Sequence, residues 1–248
     1  MSLPDLIEIM PLAQGPLEVN VTMPGSKSIT NRALILAALA EGEVELTGAL
    51  WSEDTQIMVD ALRALGFRID VNPDAAEASN RIIAVQGLGG RIPNTGTAEA
   101  PLEIFVGNAG TAARFLAAMV CLGDGSVRLH GVDRMHERPQ KELFRALRRL
   151  GYHIDSPNDQ LPAVFHGGGP CEASCTVSLN ESSQFATALL QVAPRGKWYV
   201  DLAGANLDEA PYVRMTQEMM AAFPHGGGRF VIEPDASSGS FFWGINLF

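Results

Sequence analysis

The feature that most constrains this 248-residue chain is a strand-like signal that returns three times in register. Val-x-Leu-x-Gly occurs at Val44–Gly48, Val127–Gly131 and Val200–Gly204, with starts 83 and 73 residues apart. An apolar helical run precedes each: Arg32–Ala40, Arg114–Leu122 and Phe185–Val192. A second helical run follows each. Two of these end almost alike, Ala61–Gly66 (ALRALG) and Ala146–Gly151 (ALRRLG), while Met219–Phe223 fits more loosely. Gly42, Gly66 and Gly151 stand where a helix end favours a residue tolerant of positive φ. Strands are then expected at Phe67–Val71 and Arg81–Gln86, and again at Tyr152–Asp155 and Ala163–His166, from alternation and β-branching. The first helix of each unit is apolar nearly all round, so it belongs inside. The reading is an α/β (α+β) fold of three repeated helix–strand–helix–strand units, helices buried and sheets outside.

Two places break the pattern. Only PHGGG separates Phe223 from Arg229, where the other units have room for a strand pair. From Asp235 a fourth unit begins, a small polar start running into Phe241, Phe242, Trp243 and Ile245. Those side chains need a core to cover them. The chain is therefore expected to be truncated, with a second domain missing.

Composition removes several function classes. A net charge of −10 argues against a nucleic-acid surface. The longest apolar run, Ala33–Ala40, is too short for a membrane span. Cys121, Cys171 and Cys175 are too few for a disulfide framework and lack ligand spacing for a metal. Reduced thiols fit a cytoplasmic protein. The histidines His130, His153, His166 and His225 are expected to form no cluster, and His136 alone lies near a helix start.

Each unit's first helix follows small polar residues: Pro24-Gly-Ser-Lys-Ser28, Asn108-Ala-Gly-Thr111 and Ser182-Ser-Gln184. Helix starts present unpaired N–H groups and a positive dipole end, which suit phosphate or carboxylate. Ser, Thr and Asn there also serve as plain caps, so one start alone decides nothing. Lys27 among Gly and Ser adds a phosphate-site pattern. It is not a Walker A loop, because Val21 and Ser26 occupy the required glycine positions. Nor is Gly87-Leu-Gly89-Gly90 a dinucleotide fingerprint, with Ile92 at the third glycine position. If the three helices run parallel, their starts form one pocket, with Lys27, Arg32, Arg114 and Arg138 as its cations. Arg32 and Arg114, one turn into apolar helices, are either snorkelling stems or bidentate anion ligands. Arg138 is either a solvated loop residue or a further ligand.

The same residues carry a family resemblance. Pro24-Gly-Ser-Lys-Ser-Ile-Thr-Asn-Arg32, Gly107-Asn-Ala-Gly-Thr-Ala-Ala-Arg114, Arg134-Met-His-Glu-Arg-Pro139, Ser182-Ser-Gln-Phe185, Pro211-Tyr212 and Asp235-Ala-Ser-Ser238 resemble, in order, the signatures of the EPSP synthase family. The resemblance implies an enolpyruvyl transferase lobe over residues 23–232. Residues 1–22 and 233–248 would belong to a second, C-terminal lobe that is mostly missing. It implies enolpyruvyl transfer from phosphoenolpyruvate to the 5-hydroxyl of shikimate 3-phosphate, with no metal or organic cofactor. Lys27 would touch both substrates and act in catalysis. Ser28, Arg32, Ser182, Ser183, Gln184 and Tyr212 would bind shikimate 3-phosphate, Arg32 at its carboxylate. Asn108, Gly110, Thr111, Arg138 and Gln184 would face phosphoenolpyruvate. The acid–base carboxylates would come from the other lobe, so this chain alone is expected to bind shikimate 3-phosphate weakly, if at all, and to turn nothing over. Gly110 resembles the small residue of glyphosate-sensitive members. Glu209 departs from the family pattern, since a carboxylate beside a phosphate is unfavourable. Phe115 also departs, standing where many members have Pro or Leu. The other enolpyruvyl transferase, acting on a UDP-sugar, typically has Lys-Asn in place of Lys27-Ser28. A non-catalytic anion-binding module of the same fold is the further alternative.

Overall fold

The structure is a computed structural model, and it describes residues 6, 8, 20–204 and 210–245. The three apolar runs are helices α1 (Lys27–Leu39), α3 (Gly110–Met119) and α6 (Ser183–Gly196). α1 is buried from Thr30 to Leu39, and α3 buries every residue but Thr111. Their leucines and isoleucines each contribute about 1.5–3 kcal/mol by leaving water. The three helices pack on one another in the middle of the fold.

Sheets flank them. The first unit continues through β1 (Glu43–Leu50), α2 (Glu53–Ala64), β2 (Ile69–Pro73) and β3 (Asn80–Gln86). The second runs β4 (Leu102–Phe105), α3, β5 (Ser126–His130), α4 (Asp133–His136), α5 (Lys141–Arg149), β6 (His153–Asp155) and β7 (Ala163–His166). The third runs β8 (Ala173–Ser178), α6, β9 (Trp198–Ala203) and α7 (Ala210–Ala222), and β10 (Gly228–Val231) and α8 (Ala236–Ile245) follow. α5 shows why the second helices lie half in: Leu143, Phe144, Ala146 and Leu147 are buried, while Lys141 and Arg145 face solvent.

The sheet orders are β10-β1-β3-β2, β4-β5-β7-β6 and β8-β9. In each, the strand after the buried helix pairs in parallel with a strand before it or, for β1, with β10. In the first two, an antiparallel hairpin completes the other side. The unit is therefore strand–helix–strand–helix–hairpin. Sequence reading missed β4 and β8, which precede their helices. It also left the short third unit unexplained. β10 crosses to the first sheet rather than pairing with β9, so the third sheet has two strands among the described residues. Gly66 and Gly151 do take positive φ, 92° and 98°, at the ends of α2 and α5. Gly42 does not; instead a Cβ there would lie 2.5 Å from the Gly226 carbonyl oxygen, so it is small because two backbones touch.

The segments at Pro24–Ser26 and Glu233–Asp235 run antiparallel. Ser26 N–H donates to Glu233 O at 2.8 Å and Asp235 N–H to Pro24 O at 2.8 Å. Beyond this point α8 leaves Phe241, Phe242 and Trp243 exposed. No helix among the described residues is long and apolar enough to cross a membrane.

Candidate anion-binding site

The first helix start is held from both sides. Gly25 N–H donates to Asn80 Oδ1 at 2.8 Å, and a Cβ on Gly25 would sit 1.9 Å from the Gly48 carbonyl oxygen. Only glycine allows that approach, and it aims the next residues at the start of α1. Ser26 caps α1, its Oγ accepting from Ile29 N–H, and Lys27 and Ser28 occupy the first turn. Ser182 caps α6 by accepting from Gln184 N–H. At α3 the cap residue is Ala109, which offers the first-turn N–H groups no side-chain acceptor. A helix start of that kind favours an anion.

All three starts open into one cavity of about 540 Å³. Its lining is Lys27, Ser28 and Arg32 from α1, Asn108, Gly110 and Thr111 at α3, Ser182, Ser183 and Gln184 at α6, with Arg138, Tyr212 and Asp54. Every residue assigned above to a substrate therefore lies at this one cavity. Among the described residues, Lys27, Arg32 and Arg138 face a single lining carboxylate, Asp54. A chain that is acidic overall has gathered cations where three dipoles converge.

The cations differ in setting. Arg32 is buried, and its Nε donates to Thr216 Oγ1 at 2.9 Å, Nη1 to Ser28 O at 2.9 Å and Nη2 to Thr187 Oγ1 at 3.4 Å. Its guanidinium lies 5.5 Å from the Phe115 ring centre. Burial pulls its pKa down to about 10, and Tyr212 partly opposes this. It remains charged at neutral pH. A buried charge without a counter-ion costs several kcal/mol unless hydrogen-bonded, and an incoming anion would offset part of that cost. Lys27 is half-exposed and pairs with Asp54 at 3.2 Å. Such a pair holds only about 0–1 kcal/mol, so it would be a weak obstacle to an anion at the ammonium. Arg138 donates from Nη1 to Asn108 O at 3.1 Å.

Arg114 departs from expectation. It does not line the cavity; Nη1 donates to Gln184 Oε1, Nη2 to Pro139 O, and the guanidinium covers Phe185. It holds Gln184 in place. His136 is likewise outside the lining, and its Nε2 accepts from Gly131 N–H.

A family model described as EPSP synthase (3-phosphoshikimate 1-carboxyvinyltransferase) matches residues 12–226. The chain belongs to the EPSP synthase family. Among similar proteins is the 3-phosphoshikimate 1-carboxyvinyltransferase of Opitutus terrae, 40% identical, with all of this chain covering 60% of that protein. That of Rhizobium etli is 40% identical over 94% of this chain and 57% of its own length. A solved EPSP synthase from Acinetobacter baumannii shares the fold at a TM-score of 0.71 and 24% identity, over 90% of this chain and 51% of that one. The chain thus spans about 60% of the length of the curated relatives it matches.

Within this family member, sequence reasoning missed Asp54. An acidic residue in the first turn of α2 reads as ordinary dipole compensation. Its partnership with Lys27 depends on how α2 packs beside α1, which spacing does not reveal. Glu209 lies outside the described residues.

Proposed function

We propose that this chain forms the shikimate 3-phosphate side, and part of the phosphoenolpyruvate side, of a 3-phosphoshikimate 1-carboxyvinyltransferase. One observation carries the reading: the starts of α1, α3 and α6 share one cavity with Lys27, Arg32 and Arg138. Ser182 and Ser183 at the α6 start would take the phosphate, and Gln184 would touch both the shikimate and the enolpyruvyl groups. Arg32 and Tyr212 would take the ring carboxylate, with Ser28 beside them. Asn108, Gly110, Thr111 and Arg138 would hold phosphoenolpyruvate, and Lys27 would reach both. The substrate-binding lobe would be residues 23–232, and 1–22 and 233–248 would belong with a second lobe. The exposed Phe241 and Trp243 of α8 support that division.

The reaction adds a hydroxyl to C2 of phosphoenolpyruvate and then expels phosphate. It needs a proton delivered to carbon, a proton removed, and charge stabilised throughout. Among the described lining residues the charge-stabilising groups are plentiful, but the one carboxylate is paired with Lys27. On its own the chain would bind shikimate 3-phosphate only weakly and release no product.

Calorimetric titration with shikimate 3-phosphate, and separately with a UDP-sugar, tests this. One saturable site for shikimate 3-phosphate, none for the UDP-sugar, and no phosphate release after adding phosphoenolpyruvate are expected. Binding of the UDP-sugar instead, or of neither ligand, would refute the substrate assignment, and steady phosphate release would refute the division of labour.

A further inference from the structure

Three metal-ligating side chains meet on the outer face of the second sheet. β6 and β7 are antiparallel, and the register sets His153 directly opposite His166. Ile154 and Phe165 alternate with them and are buried, so His153, Asp155 and His166 all point outward. His166 Nε2 lies 2.8 Å from Asp155 Oδ2, and His153 Nε2 lies 3.2 Å from Asp155 Oδ1. The two imidazoles stack with centres 4.9 Å apart. All three ligand atoms fall within 4.8 Å of one another. Sequence reading found no histidine cluster, because only strand pairing brings residue 153 to residue 166.

We propose that His153, Asp155 and His166 form a binding site for a divalent transition-metal ion, with zinc the best-fitting probe. Two imidazole nitrogens and one carboxylate suit zinc in type and number, leaving a fourth position for water. Tetrahedral zinc with bonds of about 2.0–2.1 Å places its ligand atoms ~3.3 Å apart. The two distances to Asp155 lie close to that spacing, and His153 and Asp155 are exposed and free to turn toward an ion held at His166. The other nitrogen of His166 is already oriented: Nδ1 lies 2.8 Å from Ser126 Oγ, a buried hydroxyl on β5. With metal on Nε2, Nδ1 keeps its proton and donates it to Ser126, the outer-shell partner that such ligands use. Arg148 also acts on Asp155, but its guanidinium is paired with Asp159. None of the three ligands lines the substrate cavity, so the site is separate from it. A bound ion would clamp the β6–β7 hairpin.

Zinc chloride titrated into the metal-free full chain, in a buffer that does not chelate, tests the proposal. Expected are one equivalent bound, a raised melting temperature, and a visible absorption band on cobalt substitution. His153→Gln changes a side chain 72% exposed, so its fold is safe, and it should bind at least tenfold more weakly. Asp155→Asn should do the same. Ser126→Ala should weaken binding by about 10–100-fold through loss of the outer partner. His130→Gln, beside Glu103 on the same sheet, should leave binding unchanged. Absence of saturable binding by the parent, undiminished binding by His153→Gln and Asp155→Asn, or loss in His130→Gln instead would overturn it.

Discussion

Gly110 is the position where one methyl group would be felt at the site and hardly at all in the fold. A Cβ there would come 2.5 Å from the guanidinium of Arg138. The obstacle is the far end of a flexible side chain, so Arg138 would swing away and the backbone would stay. Alanine is also a good residue for the first turn of a helix. Gly110→Ala should therefore unfold at an unchanged urea midpoint yet bind phosphoenolpyruvate about tenfold more weakly, the loss of one charge-assisted hydrogen bond. Equal affinities in the two proteins would contradict this. At the residue scale the sequence spoke clearly where a motif is local. Lys27, Ser28, Thr111 and Ser182 all reach the cavity. It was silent where a partner comes from another unit. Arg32 and Arg114 each stand about one turn into an apolar helix, yet one lines the cavity and the other braces Gln184.

The elements are tied together by a polar cluster inside an apolar core. Arg32 on α1 meets Thr187 on α6 and Thr216 on α7, and the two hydroxyls lie 3.1 Å apart. Thr216 in turn donates to Tyr212 O at 2.8 Å, and Gln191 Nε2 donates to Arg32 O at 3.1 Å. Replacing Thr216 with Val keeps the shape but removes the acceptor for Arg32 Nε. It should cost about 1–3 kcal/mol in urea unfolding, the penalty of a buried donor left unmatched. No change in midpoint would show that water or a shifted side chain fills the role. Helices were the most legible elements, because their apolar periodicity is long. β4 and β8 were not, because each presents only a brief alternating pattern. β2 begins at Ile69, two residues later than its composition suggested.

At the scale of the molecule, one unit is used three times and its third copy is altered. Two sheets carry a closing hairpin, and among the described residues the third ends at β9, with Tyr199 exposed. Repetition was visible in the sequence because each copy keeps its own Val-x-Leu-x-Gly. The crossing of β10 to β1 was not, since a short strand carries no mark of its distant partner. What repetition accomplishes is convergence: like helices packed side by side bring like ends together. The proposed dianion binding would follow from that arrangement rather than from any one residue. The most direct test is a nuclear magnetic resonance titration of the isotope-labelled chain with shikimate 3-phosphate. Amides of Ser28, Thr111 and Ser183 should shift together and fit one dissociation constant. Shifts confined to a single helix start, or three starts titrating with separate constants, would contradict a common site.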